Sequence, residues 1–319
     1  MLRNKLPRPL RGIVPPMVTP LLGPDSLDEA GLERLIEHVI GGGVHGLFIL
    51  GTTGDGPALS YKLRRQVIER TCTQVAGRVQ VLVGVTDTSY TESRKISEIA
   101  ANAGADAIVM APPYYFHVSQ SDLLRLVESM SGDTALPLYL YNMPNLTKMH
   151  YDPTTVKIAS EMPHVYGLKD SSGDVEYLER VLAEVGHNTD FAVLLGPEHL
   201  LLKGLQAGVH GGVCGGANLL PRLFVDLFEA FGRDEIDKAG AMQKRLIEIG
   251  TQLYQIGEPE SSYIRGLKSA LAIAGICSGE LAWPYLSAQP EQLAGMRKQL
   301  AEIPELQAQG SLAVPLSHG

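Results

Sequence analysis

A lysine, a tyrosine and a glycine-rich turn are the residues of this chain whose types and spacing could do chemistry. Lys169 follows Val165 and Gly167 at a spacing of two, which puts all three on one face of an extended segment. An ammonium turned into a protein interior is costly to desolvate. A lysine that sheds its proton there becomes a nucleophile able to form a Schiff base with a carbonyl. The competing reading pairs Lys169 with its neighbour Asp170 at a rim. Tyr141 lies near the end of the apolar run 136–142. Turned inward it could pass protons around an imine; turned elsewhere it would simply pack. Gly51-Thr52-Thr53-Gly54 offers two hydroxyls and backbone N–H groups, a cradle that can hold a carboxylate without an arginine. No Gly-Lys-Ser/Thr follows it, so it is not a phosphate loop. Together the three features describe a site for a 2-oxo acid: an imine-forming amine, a proton relay and a carboxylate holder.

Such a site needs elements that bring residues 52, 141 and 169 to one place. Eight short apolar runs cover 12–18, 46–51, 79–85, 106–112, 136–142, 165–170, 191–196 and 210–215, and amphipathic stretches such as 27–40, 61–75, 89–103 and 174–185 separate them. Strand alternating with helix implies parallel pairing, and continuously apolar strands imply burial on both faces. Eight units predict an α/β fold, a (β/α)8 TIM barrel over residues 1–222. A doubly wound open sheet is disfavoured because Pro15-Pro16-Met17 follows the first strand where that fold would place a phosphate loop. Strand signals then stop, and 224–231, 235–254, 262–275 and 290–303 are helical patterns. Residues 223–319 therefore read as a C-terminal helical appendage, with a frayed tail over 307–319. In such a barrel the active site sits at the C-terminal strand ends, where Thr52, Thr53, Tyr115, Tyr141, Lys169 and Glu198 all fall.

The 319 residues include 45% hydrophobic and 19% charged side chains and carry a formal charge of −8, a composition that fills a core. An acidic surface argues against nucleic-acid or anionic-membrane binding, and no uncharged apolar run reaches the roughly 18–20 residues needed to span a bilayer. Pro15, Pro16 and Pro20 break the N-terminal apolar stretch, so it does not read as a signal peptide, and a cytoplasmic location is expected. Cys72, Cys214 and Cys277 are too scattered for a disulfide framework or structural zinc site. A metal-dependent barrel is the alternative enzyme class, but the nine histidines make no HxH or HxxxH pair at a strand end. The basic residues Lys62, Arg64, Arg65 and Arg70 are expected to form a solvated helix face, and Trp283 to anchor the appendage.

The same residues carry a family likeness. Gly51-Thr52-Thr53-Gly54-Asp55, Tyr141-Asn142-Met143-Pro144 and Gly167-Leu168-Lys169-Asp170 resemble, in this order and spacing, the GTTGE/GSTGE turn, YNxP motif and G-[IL]-K-[DE] strand of the dihydrodipicolinate synthase/N-acetylneuraminate lyase family of Schiff-base aldolases. The likeness runs from about residue 10 to beyond residue 280. It implies that Lys169 forms an imine with pyruvate, that Tyr141 and the Thr52 hydroxyl relay protons, and that Tyr115 completes a neighbouring subunit's relay. It further implies that Thr52 and Thr53 bind the carboxylate, that Val213 touches bound pyruvate, and that Glu198 binds sugar hydroxyls. A homotetramer, with no metal or organic cofactor, is expected on the same ground. Leu146 stands where the synthase branch has an arginine gripping the aldehyde's carboxylate, which leucine cannot do. The expected partner is therefore an aldehyde of the 2-keto-3-deoxy sugar acid or sialic acid type, with aspartate semialdehyde the runner-up. A non-catalytic binding barrel is a remoter alternative, which the retained lysine and tyrosine disfavour.

Overall fold

The computed structural model describes residues 6–254 and 256–308. Eight strands form one parallel sheet: β1 (Gly12–Ile13), β4 (Gly46–Ile49), β5 (Gln80–Gly84), β6 (Ala107–Met110), β7 (Leu138–Asn142), β8 (Val165–Asp170), β9 (Ala192–Leu195) and β10 (Gly211–Gly212), ordered β1-β10-β9-β8-β7-β6-β5-β4. The other two, β2 (Leu21–Gly23) and β3 (Ser26–Leu27), pair as an antiparallel hairpin outside the sheet. The ends of the sheet meet. Phe48 N donates to Pro15 O at 2.9 Å and Met17 N to Phe48 O at 2.8 Å. Pro15 and Pro16 have no N–H to extend a ladder, so closure rests on one bridge, Pro16 to Phe48. The predicted (β/α)8 barrel and all eight of its strands are present.

Period two separates two buried layers, broken once in β8, where a register shift puts Val165 in the helix-facing layer with Leu168 rather than on the face of Gly167 and Lys169 as its spacing suggested. Leu47, Ile49, Val81, Val83, Ile108, Leu138, Leu140, Leu168, Val193 and Leu195 join the layer between sheet and helices. Phe48, Leu82, Val109, Tyr139, Tyr141, Leu194 and Val213 fill the barrel interior, with Leu10 and Val14. The register pairs Tyr141 with Lys169, and Lys169 with Leu194. Gly167 is required below Lys169, since a Cβ there would lie 2.5 Å from Ala192 O and 2.6 Å from the Tyr139 ring.

The surrounding helices begin where short polar side chains cap them. Asp28 accepts from Gly31 N, Ser60 from Leu63 N and Asp174 from Tyr177 N. The helix Pro221–Gly232 packs on β1 and on the helix Ile236–Leu253. The expected boundary at 222/223 thus falls in the first turn of the helix that completes the barrel. The helices Ile236–Leu253, Pro259–Ile273 and Pro290–Ala301 follow, then Pro304–Ala308. Of the expected tail, residues 309–319 lie outside the described residues.

Two surface expectations are corrected. Arg64 is buried rather than solvated, because its guanidinium pairs with Asp87 at 3.0 Å and donates to Leu59 O and Pro57 O. Trp283, expected to anchor the appendage, is instead 67% exposed. Among the described residues no helix is long and apolar enough to cross a membrane.

Candidate active site

A cleft of about 680 Å³ opens at the C-terminal strand ends, and Thr52, Thr53, Tyr141, Lys169, Glu198 and Val213 all line it. Lys169 and Tyr141 sit side by side on β8 and β7, each almost wholly buried. The Lys169 Nζ lies 4.2 Å from the centroid of the Tyr141 ring and 4.9 Å from that of Phe48. Among the described residues no carboxylate pairs with it. Asp170 points the other way along the strand's alternation. Its carboxylate accepts from Asn142 Nδ2 at 2.8 Å and from the Ser172 hydroxyl at 3.0 Å. Burial pushes that carboxyl above its ordinary value, and the bonds from Asn142 and Ser172 oppose the shift. The rim-pair reading of Lys169 is thereby excluded: its amine faces the cleft between two aromatic rings.

The turn after β4 brings the hydroxyls. Thr52 Oγ1 is 3.1 Å from the Tyr141 hydroxyl. The amides of Gly54, Asp55 and Gly56 close the turn on the carbonyls of Gly51 and Thr52. Among the described residues the amides of Thr52 and Thr53 take no backbone acceptor, which leaves the cradle its two donors. The glycines are steric requirements: a Cβ on Gly56 would stand 2.0 Å from Leu50 O, and one on Gly84 2.3 Å from the same atom.

The opposite wall comes from the C-terminal helices, which sequence reasoning missed. Tyr254, Tyr263, Leu246 and Thr251 line the cleft with Glu198 and His199. The two tyrosine rings meet edge to face at 4.8 Å. The Glu198 carboxylate accepts from Gly216 N at 2.8 Å and from the Tyr254 hydroxyl. Burial raises the Glu198 carboxyl above its ordinary value, and those two bonds oppose it. Burial and the Glu198 charge together push both phenols well up, and burial does the same for the Cys214 thiol. The two phenols and the thiol therefore stay protonated at physiological pH. A signal for it existed in Gly211-Gly212-Val213-Cys214-Gly215-Gly216. A Cβ on Gly215 would lie 1.7 Å from the Tyr263 hydroxyl, and one on Gly216 2.7 Å from that of Tyr254.

Two expected site residues lie elsewhere. Tyr115, 74% exposed, stacks edge to face on Phe116 in the loop after β6, outside its own chain's cleft. Leu146 is 55% exposed on the short helix Pro144–Thr147, and Met143 rather than Leu146 lines the cleft.

Residues 9–303 match the Dihydrodipicolinate synthetase family. A 4-hydroxy-tetrahydrodipicolinate synthase of Salinibacter ruber is 37% identical over 231 residues, 72% of this chain and 76% of that one. The Escherichia coli protein YagE, named as a candidate 2-dehydro-3-deoxy-D-gluconate aldolase, is 33% identical over 83% of this chain and 87% of its own. Among solved structures, a dihydrodipicolinate synthase from Bacteroides thetaiotaomicron superposes with a TM-score of 0.91 at 44% identity, covering 93% of this chain and all of that one. YagE in complex with pyruvate superposes at 0.86 with 30% identity, over 93% and 98% of the two chains.

Proposed function

The chain is a lyase of the dihydrodipicolinate synthetase family, and within that family we propose that it is a pyruvate-dependent class I aldolase acting through an imine on Lys169. One observation carries the reading: the Lys169 amine, free of any ion pair among the described residues, stands 4.2 Å from the centroid of a tyrosine ring whose hydroxyl meets Thr52 Oγ1 at 3.1 Å. The amine adds to C2 of the 2-oxo acid, and Tyr141 supplies the proton on which the carbinolamine oxygen leaves as water. The Thr52 and Thr53 cradle holds the carboxylate, and Val213 packs against the methyl group. Loss of a C3 proton gives the enamine that attacks an aldehyde, or the reverse sequence releases one. The covalent imine is itself the electron sink, so the reaction asks for no metal or organic cofactor.

Glu198 accepts hydrogen bonds, and the neutral phenols of Tyr254 and Tyr263 line the same wall. A wall of that chemistry suits the hydroxyls of a sugar-derived aldehyde better than a second carboxylate. The preferred substrate is therefore a 2-keto-3-deoxy sugar acid or sialic acid type compound. Leu146, exposed and uncharged, offers no grip on the carboxylate of aspartate semialdehyde. Condensation with that aldehyde, giving 4-hydroxy-tetrahydrodipicolinate, is the second reading, favoured by the synthases among the relatives. The exposed Tyr115 and Phe116 suit contact with another copy, in keeping with a homotetramer in which Tyr115 reaches a neighbour's site, and a cytoplasmic location is part of the same proposal.

Borohydride reduction with pyruvate, followed by peptide mass spectrometry, tests the imine. A pyruvate-sized adduct on Lys169 is expected, and its absence under conditions that trap a known aldolase would overturn the reading. Sugar-derived aldehydes run against aspartate semialdehyde then decide between the two substrates.

A further inference from the structure

We infer that the buried ion pair between Lys268 and Asp55 is a positioning device, through which the appended helix Pro259–Ile273 holds the Thr52–Thr53 turn in its carboxylate-binding form. The inference rests on the Schiff-base reading above. Lys268 stands on the helix Pro259–Ile273 and is fully buried, as is nearly all of Asp55. Its Nζ donates to Asp55 Oδ2 at 2.6 Å and to Glu280 O at 2.9 Å, the first contact joining residues 213 apart in sequence. A charge pair out of water in this way constrains geometry as much as it stabilises.

The turn needs an external restraint. Leu50 and Asp55, which flank it, both have φ in the left-handed region, at 59° and 55°, where a side chain is unfavourable and persists only because surrounding contacts hold it. Thr19 Oγ1 fixes Gly54 O at 2.6 Å, and Lys268 fixes the next side chain along. Asp55 N donates to Thr52 O at 3.1 Å, so a displaced Asp55 pulls the threonines with it. The helix bearing Lys268 also carries Tyr263 on the opposite wall of the cleft, so one element sets both the carboxylate cradle and the aldehyde wall.

The test compares wild type with Lys268→Met, Asp55→Asn and the double variant, which leaves no unpaired buried charge. Two readouts are taken on folded protein below its melting temperature: the pyruvate concentration giving half-maximal borohydride trapping on Lys169, and deuterium exchange of the amides of residues 50–56. In the double variant the half-saturating concentration is expected to rise about tenfold or more, because small displacements of binding groups cost that much. The trapping plateau should stay within about twofold and the turn amides exchange about tenfold faster. Half-saturation within about twofold of wild type, or unchanged turn exchange, overturns the inference whatever the melting temperature does. Should the double variant not fold, Lys268→Met alone, which removes the contact to Asp55, carries the same two measurements. Failure of wild type itself to trap pyruvate condemns the Schiff-base reading instead, and the exchange readout still decides whether Lys268 holds the turn.

Discussion

Replacing Tyr141 with phenylalanine separates packing from chemistry at this site. The ring is kept, with its edge-to-face contact on Phe48 at 6.3 Å and the Lys169 nitrogen 4.2 Å from its centroid. Only the hydroxyl 3.1 Å from Thr52 Oγ1 is lost. One such hydrogen bond is worth about 0.5–1.5 kcal/mol. The low end applies, because Thr52 lines the cleft and its hydroxyl can turn to water. A chain of this size then melts at most a few degrees lower. Loss of proton transfer costs far more, about 10²–10⁴ in rate, or about 2.7–5.5 kcal/mol of barrier. The two ranges do not overlap, so a rate decides which role the hydroxyl has. The assay is exchange of the pyruvate C3 hydrogens for deuterium in heavy water, followed by proton NMR. It requires the imine and its enamine but no aldehyde, so it does not depend on which substrate reading holds. Tyr141→Phe is expected to exchange about 100-fold or more slowly with a nearly unchanged melting temperature, and Lys169→Ala not at all. A variant retaining more than about a tenth of wild-type exchange would refute the relay.

Other perturbations follow from the same geometry. Gly167→Ala places a Cβ 2.5 Å from Ala192 O, which belongs to β9 and cannot step aside. The variant should lose about 1–3 kcal/mol or more in a denaturant titration, and a neutral result would contradict the packing of Tyr139 against β8. Gly215→Ala meets the Tyr263 hydroxyl at 1.7 Å, whereas in Tyr263→Phe the nearest remaining ring atom is 2.8 Å away. The double variant should therefore recover about 1 kcal/mol of the single variant's loss in a double-mutant cycle, and strict additivity would mean that the two residues do not touch. Glu198 gives a pH dependence. Its folded carboxyl is raised above 4.5, so the folded state holds more protons than the unfolded one from that pH upward to the folded value. Its contribution is present at lower pH and is lost as pH rises through that window. Melting curves across pH should show Glu198→Gln gaining on wild type above pH 4.5; a constant difference would show that the carboxyl is not raised.

The barrel was readable because strand burial has a period that survives in the sequence. Lys169 two residues beyond Gly167, and Tyr141 two beyond Tyr139, belong to the inward set wherever β7 and β8 pair in parallel, and the observed register puts them at one level. Nothing of that kind announces β2 and β3, whose three and two residues are too short for a period and are marked only by Gly23-Pro24-Asp25. Arg64 misled for a related reason. Its neighbours Lys62 and Arg65 do face solvent, but the position is set by helix phase, which turns Arg64 toward Asp87 and the carbonyls of Pro57 and Leu59.

The aldehyde side of the cleft was hidden for a deeper reason. An amphipathic pattern says which face of a C-terminal helix is buried, not what it is buried against. Tyr254 ends the helix Ile236–Leu253 and Tyr263 lies in the second turn of Pro259–Ile273, and the two rings meet at 4.8 Å above Gly215 and Gly216. That contact and the one from Lys268 to Asp55 join segments whose partners are fixed by closure of the barrel. Lys169, Tyr141 and the turn are thus properties of strands, whereas the opposite wall of the cleft is a property of how the appended helices dock. It follows that relatives sharing the strand motifs can differ in the aldehyde they take. Under the proposed reading, the choice of aldehyde in this chain turns on Tyr254, Tyr263 and Glu198 more than on the exposed Leu146.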